Sequence, residues 1–204
     1  MKKIVKEVNI LIVGVGGQGV ISMSELLGQA VVDSGLNVRG SEVLGMAVRG
    51  GSVVSTIRIG SEVYGPLIPR GKGDIIVGME PTEALRNIAY LSKSGMVILH
   101  TEAVIPFTVS LGQSEYPDSD KIVERLNGVA NRVVALDAAR IASEAGSPLV
   151  ANIVLLGALF ATGRVPVKAE AIRGAIRARF SVKLAPLNLK AFDLGYRQCR
   201  QAFK

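Results

Sequence analysis

The sequence predicts an α/β protein, a three-layer α/β/α arrangement around a mostly parallel (mixed) sheet. Short β-like apolar runs alternate with helical patterns along most of the chain, the pattern expected of strands linked by crossover helices. Two of those runs, Asp74–Met79 and Met96–Leu99, are almost unbroken in their apolar character, which implies burial on both sheet faces. The apolar fraction is 49% while aromatics are only 4% and Trp is absent, so Val, Ile, Leu and Ala must build the core. A length of 204 residues suits one domain, taken here as residues 1–204, with a substantial core.

The elements follow in order. Met1–Lys6 is basic but interrupted by Lys6 and Glu7; it reads as the start of a first strand rather than a signal peptide. Val8–Gly14 is a strand, followed by a glycine turn and a helix over Val20–Ser34, whose Ile21, Leu26, Leu27 and Ala30 fall near helical spacing. This is a Rossmann-like β-turn-α unit, and Ser34-Gly35 ends it. Asn37–Gly40 and the β-branched stretch Ser52–Gly60 are strands. Val63–Gly65 extends the sheet and Pro66–Lys72 is a loop. After the strand at Asp74–Met79, Glu80-Pro81-Thr82-Glu83 places proline and acids at a helix start, and that helix is expected to run to Ser94-Gly95. His100 to Lys121 reads as an irregular excursion with two prolines. Arg132–Leu136 is a strand, and Asp137 is placed to cap an Ala-rich helix. Residues 148–204 are mainly helical, with Ala169, Ile172, Ile176 and Phe180 on one face.

Composition excludes several functions. The single cysteine, Cys199, allows no internal disulfide and no cysteine-held zinc or iron–sulfur centre, and suits a cytoplasmic protein. Its neighbours Arg197 and Arg200 would favour a thiolate, yet a structural thiol is the expectation. Residues 145–163 carry no charge and approach the length of a membrane span, but Pro148, Asn152 and Gly157 interrupt them, so a buried helix is expected and no membrane contact. The net charge of +7 is uneven: residues 1–163 hold 14 basic and 15 acidic side chains, residues 164–204 hold 10 and 2. An acidic partner or a solvated basic face would account for that asymmetry. Nucleic acid is not expected, because stacking aromatics and recognised motifs are missing.

The chemistry concentrates in two segments. Gly14, Gly16 and Gly19, with Gly17 and Gln18 between them, fit the G-x-G-x-x-G spacing at a helix N-terminus, where backbone N–H groups suit an anion. A nicotinamide nucleotide would further need an acid on the second strand, for which Glu42 is the candidate; a free-standing NAD(P)-binding oxidoreductase is therefore the alternative function. The second segment places Arg49 and Gly50 among flexible glycines, where an arginine can clamp a phosphate or carboxylate. No Walker lysine and no G-x-S-x-G elbow is present. His100, the one histidine, reads as a polar strand cap, and no catalytic residue is assigned.

Several pieces together resemble a known family. They are GVGGQGV at 14–20, SEVLGM with RGGSV at 41–53, VYGPLIPRGKGDIIVGMEPTEALR at 63–86, VSLGQSEYPD at 109–118, NIVLLGAL at 152–159 and NLKAFDLGY at 188–196. In this order and spacing they resemble the gamma-type subunits of 2-oxoacid:ferredoxin oxidoreductases, and among them most of all the beta subunit of the indolepyruvate enzymes. The resemblance implies an enzyme that oxidatively decarboxylates a 2-oxoacid to acyl-CoA and CO2 and reduces ferredoxin. It implies that thiamine diphosphate and iron–sulfur clusters lie in a larger partner subunit and that this chain, inactive alone, binds neither. It makes the glycine turn and Arg49 candidates for the pyrophosphate of coenzyme A or for the subunit seam. Without the partner, surfaces meant for it are expected to pair two copies as a homodimer. One departure stands out: the indolepyruvate subunits usually read EVHGMSQRGGS, and here Leu44, Ala47 and Val48 replace His, Ser and Gln, so any substrate choice set by those polar groups would differ.

Overall fold

The computed structural model describes residues 6–203; the strand expected at the extreme N-terminus lies outside them over residues 1–5. Six strands, β1 (Val8–Val15), β2 (Val38–Leu44), β3 (Ser52–Ile59), β4 (Gly73–Gly78), β5 (Leu91–His100) and β6 (Arg132–Leu136), form one sheet in the order β2-β3-β1-β4-β5-β6. The β1–β4, β4–β5 and β5–β6 pairs are parallel, whereas β3 runs against both β1 and β2. The mixed, mostly parallel sheet is therefore as expected, and the three layers follow from strand alternation. Ile10 and Ile12 of β1 face one core with α1 (Val20–Asp33), α5 (Ala138–Ala145), α6 (Ala151–Ala161), α7 (Ala169–Arg179) and α8 (Ala185–Ala202). Leu11 and Val13 face a second core with α2 (Pro81–Arg86) and α4 (Ser119–Asn127).

The uncharged stretch becomes α6, in which every residue from Ile153 to Ala161 is buried. Among the described residues no single helix is long and apolar enough to cross a membrane, although α5 and the segment from Pro148 to Ala161 form a bent pair of that character, broken by 119°. Helices α6 and α8 cross at glycines: a Cβ on Gly157 would lie 2.1 Å from the Phe192 carbonyl oxygen, and one on Gly195 would lie 1.9 Å from that of Val154. Only hydrogen fits at these two positions, so the backbones meet directly. Phe192 then packs edge-on to Phe160 at 5.8 Å.

Four local expectations need correction. The helix after β4 stops at Arg86 rather than Ser94-Gly95. Asn87 Nδ2 donates to the Glu83 carbonyl at 2.9 Å, a short 3-10 turn follows, and Leu91 pairs with Gly73 to begin β5. Ladder pairing there outweighs the helical pattern. Val63–Gly65 is not a strand: Val63 is buried, but it packs from a loop. Strand β2 extends to Leu44 because β3 pairs with it along seven residues. The excursion after β5 contains a helical turn, α3 (Phe107–Ser110), and the start of α4, capped by Asp118 Oδ1 accepting from Asp120 N at 2.8 Å. Asp137 does cap α5, accepting from Arg140 N at 2.9 Å.

The basic C-terminal fifth is partly engaged within the fold. Arg173 meets Asp193 at 2.7 Å, Arg177 meets Glu170 at 2.9 Å and Arg179 meets Glu25 at 2.7 Å, while Arg164 donates to the carbonyls of Asp74 and Ser94. Such solvated pairs contribute little stability, but they remove four arginines from the charge expected to face an acidic partner.

Candidate functional site

The glycine turn connects β1 to α1 at the carboxyl end of the parallel strands, where ligands of open α/β sheets bind. Gly17 and Gly19 have φ of 101° and 83°, a backbone state that side chains rarely adopt. Gly14 is required for space, since its Cβ would sit 2.9 Å from Met79 Cβ. Gln18 points inward: its Oε1 accepts from Val15 N at 2.9 Å and its Nε2 donates to Met79 O at 2.8 Å, which ties the turn to the end of β4. Gly19 is the N-cap of α1, with Asn152 of α6 against it.

Residues 45–51 lie across this turn. Gly45 N donates to Ser52 O at 2.8 Å, closing the loop at its base. Gly16 N donates to Gly51 O at 2.8 Å and Gly50 N to Gly16 O at 3.1 Å. A Cβ on Gly16 would lie 2.3 Å from Val48 O, so the two backbones are in direct contact. Gly50, at φ 72°, turns the chain back towards β3. Leu44, Met46 and Val48 are exposed, Met46 fully. Arg49 is also exposed, with no hydrogen-bond or ion-pair partner among the described residues. Between the turn and this loop opens an apolar cleft of about 450 Å³. Leu44, Ala47 and Val48, the three departures from the usual indolepyruvate pattern, all line it.

This geometry does not suit a dinucleotide bound in Rossmann fashion. The amides of Gly16 and Gln18 already donate to protein carbonyls, and the 48–51 backbone roofs the turn. Strand β3 separates β2 from β1, so Glu42 is not on the strand beside the turn. Its carboxylate instead accepts from Ser24 Oγ at 3.2 Å, and Ser24 Oγ accepts from Ser55 Oγ at 2.9 Å, which pins α1 to the outer strands. Glu42 is thus apart from the turn, whereas Gly16, Gly17, Gly19, Arg49 and Gly50 come together.

A second cleft, of about 250 Å³, lies on the other side of Gly17 and Gln18 and reaches His100, Glu102 and Asn152. His100 ends β5, is 5% exposed, and its Nδ1 accepts from Ala138 N at 3.3 Å, an otherwise unpaired amide at the start of α5. Its Nε2 is 3.4 Å from Glu102 Oε2. The histidine joins β5 to α5, as a strand cap does. Cys199 is fully buried, and burial pushes its thiol up to about 11 despite nearby Arg132, so it is no thiolate. Among the described residues no group of three or more metal-ligating side chains comes together.

Two buried carboxylates escaped the sequence reading. Glu80 is 1% exposed and Glu83 is 3% exposed. Glu80 is the N-cap of α2, its Oε2 accepting from Glu83 N at 2.9 Å and from Thr82 Oγ1 at 2.5 Å, while its Oε1 accepts from Tyr116 Oη at 2.5 Å. Glu83 accepts from Ser52 Oγ at 2.5 Å and from Arg86 Nη1 at 2.8 Å. The signal in the sequence was the capping-box spacing of acids at 80 and 83 around Pro81; their burial came from residues more than 30 positions away.

Comparison with known proteins adds a finding of another kind. Residues 9–198 match the family model described as pyruvate ferredoxin/flavodoxin oxidoreductase. The chain is 42% identical to indolepyruvate oxidoreductase subunit IorB of Pyrococcus horikoshii, over 96% of this chain and 98% of that one. It is 44% identical to the IorB subunit of Archaeoglobus fulgidus, over 93% and 94%. The fold is shared with the crystal structure of pyruvate oxidoreductase subunit PORC from Thermotoga maritima, at a TM-score of 0.72 and 24% identity, covering 95% of this chain and 97% of that one.

Proposed function

The chain belongs to the pyruvate ferredoxin/flavodoxin oxidoreductase family as a small subunit of a 2-oxoacid:ferredoxin oxidoreductase, and from that premise we propose that its assembled enzyme acts on indolepyruvate or a related arylpyruvate. The reaction would release CO2, form the acyl-CoA and pass electrons to ferredoxin. The likeness to indolepyruvate subunits over nearly the whole chain carries this reading. A larger subunit would hold thiamine diphosphate and the iron–sulfur clusters. The thiamine diphosphate would stabilise the carbanion left by decarboxylation.

Within that assembly we assign this chain to contact with coenzyme A. The apolar cleft of about 450 Å³, lined by Val48, and the exposed, unpaired guanidinium of Arg49, the next residue on the same loop, suit a ligand that joins anionic phosphates to a long flexible arm. Arg49 would hold the phosphates, Gly16 and Gly17, which line the cleft, would let the arm approach the backbone, and Gly50 would turn the chain next to Arg49. Gly14, Gln18 and Gly19 would shape the turn. The site faces the end of the sheet at which Met46, Val48 and Phe107 are exposed, the surface we assign to the larger subunit. Alone, such apolar exposure favours a homodimer.

The test is co-expression with the larger subunit of the same enzyme, followed by 2-oxoacid-dependent reduction of a viologen dye. We expect activity only in the complex, dependent on coenzyme A, and highest with indolepyruvate or phenylpyruvate. Greater activity with pyruvate would overturn the substrate assignment. Turnover by this chain alone would overturn the subunit assignment.

A further inference from the structure

The loop that carries Arg49 has one side-chain anchor. From Gly45 to Ser52 the only side-chain hydrogen bond among the described residues is that of Ser52 Oγ to Glu83 Oε2, at 2.5 Å. Ser52 stands where the loop rejoins the sheet. It pairs with Val15 at the end of β1, and its carbonyl accepts from Gly45 N. The two backbone bonds that hold the loop on the glycine turn, from Gly16 to Gly51 and from Gly50 to Gly16, both lie within two residues of Ser52.

Glu83 is suited to be a fixed anchor. Its own amide is held by Glu80 Oε2 at 2.9 Å, and its second oxygen takes Arg86 Nη1 at 2.8 Å. It is also buried, so its carboxylate neither rotates freely nor exchanges partners with water. A bond from a hydroxyl to such a charged acceptor is among the stronger side-chain bonds. We propose that Glu83, acting through Ser52, is the positioning residue that sets the Arg49 loop over the glycine turn and so governs how the assembled enzyme receives coenzyme A. The positioning rests on the geometry above; its consequence for the coenzyme rests on the function proposed for Arg49.

Hydrogen exchange of the full chain tests the positioning directly. In Ser52→Ala the amides of Gly16, Gly45 and Gly50 should lose protection by about tenfold, while those of Ile76 and Ile98 in the central strands keep theirs. Ser52→Thr retains the hydroxyl and should restore protection; a merely structural fault would not be rescued so selectively. Unchanged protection in Ser52→Ala, or equal loss in the central strands, overturns the proposal. In the assembled enzyme Ser52→Ala should raise the KM for coenzyme A about fivefold with kcat within about twofold, and Ser52→Thr should reverse it. An unchanged KM overturns the functional part. If Arg49→Ala is also without effect, the coenzyme reading itself has failed, and the exchange result still decides whether Glu83 positions the loop.

Discussion

Replacing Gly16 by Ala should separate the glycine turn from the loop above it. The new Cβ would lie 2.3 Å from Val48 O and 3.0 Å from the Val48 carbonyl carbon. Both are backbone atoms and cannot rotate away, so the 45–51 loop must retreat by about 1 Å to reach ordinary contact. That movement breaks the bonds now at 2.8 Å and 3.1 Å between Gly16 and the loop, each worth about 0.5–1.5 kcal/mol net. Restricting the unfolded chain returns about 0.4–1 kcal/mol, leaving a net loss of about 1 kcal/mol at the middle of these ranges. Gly28 is the control. It lies inside α1 with nothing within 4 Å of its Cβ position, so Gly28→Ala should stabilise by about 0.5–1 kcal/mol through helix propensity. Urea unfolding followed by far-UV circular dichroism measures both variants. The same methyl group should therefore act with opposite sign at the two positions. A Gly16→Ala protein as stable as the parent would refute the contact, and an unchanged KM for coenzyme A in its complex would refute the loop's role.

Further outcomes follow from packing and ionisation. Gly195→Ala places a methyl 1.9 Å from Val154 O at the α6–α8 crossing, and should cost about 3 kcal/mol or prevent folding; an unshifted melting temperature would contradict the close crossing. Tyr116→Phe leaves a buried oxygen of Glu80 without its partner and should cost about 1–3 kcal/mol in denaturant unfolding. Burial and then the bond to Glu80 raise the Tyr116 phenol above its ordinary 10. Its contribution to stability is therefore full below pH 10 and is lost as the pH climbs beyond it; ultraviolet titration should show a tyrosine ionising late, a step that Tyr116→Phe removes. Cys199, raised by burial from 9 to about 11, stabilises fully below pH 9 and loses that contribution as pH rises through 11. It should resist alkylation at pH 8 until the chain is unfolded, and rapid labelling of the folded protein would contradict its burial.

Features that depend on neighbours along the chain were legible in the residues alone. The β1-turn-α1 unit, the buried strands β4 and β5, the cap at Asp137, the helix start at Pro81, and the core character of α6 each follow from a short stretch of apolar spacing, glycine and capping chemistry. The candidate site was legible to the same extent: the glycines and Arg49 were found as two separate segments, and the fold lays one upon the other.

Tertiary structure decided what local pattern does not encode. Strand β3 enters between β1 and β2 because a hairpin's second strand can pair on either side, and the core settles which. That one choice removes Glu42 from the turn and brings the Arg49 loop over it. The burial of Glu80 and Glu83 depends on Tyr116 and Ser52, 36 and 31 residues away; a carboxylate is tolerated in the interior only where distant donors converge on it. The sequence by itself determined most of the strands, helices and turns, since backbone preference and apolar period act over a few residues, but not the start of β5 at Leu91 or the reach of β2 to Leu44, which ladder pairing sets. The fold determined which of them touch, since strand order and the partners of buried charge are settled only when the whole core closes.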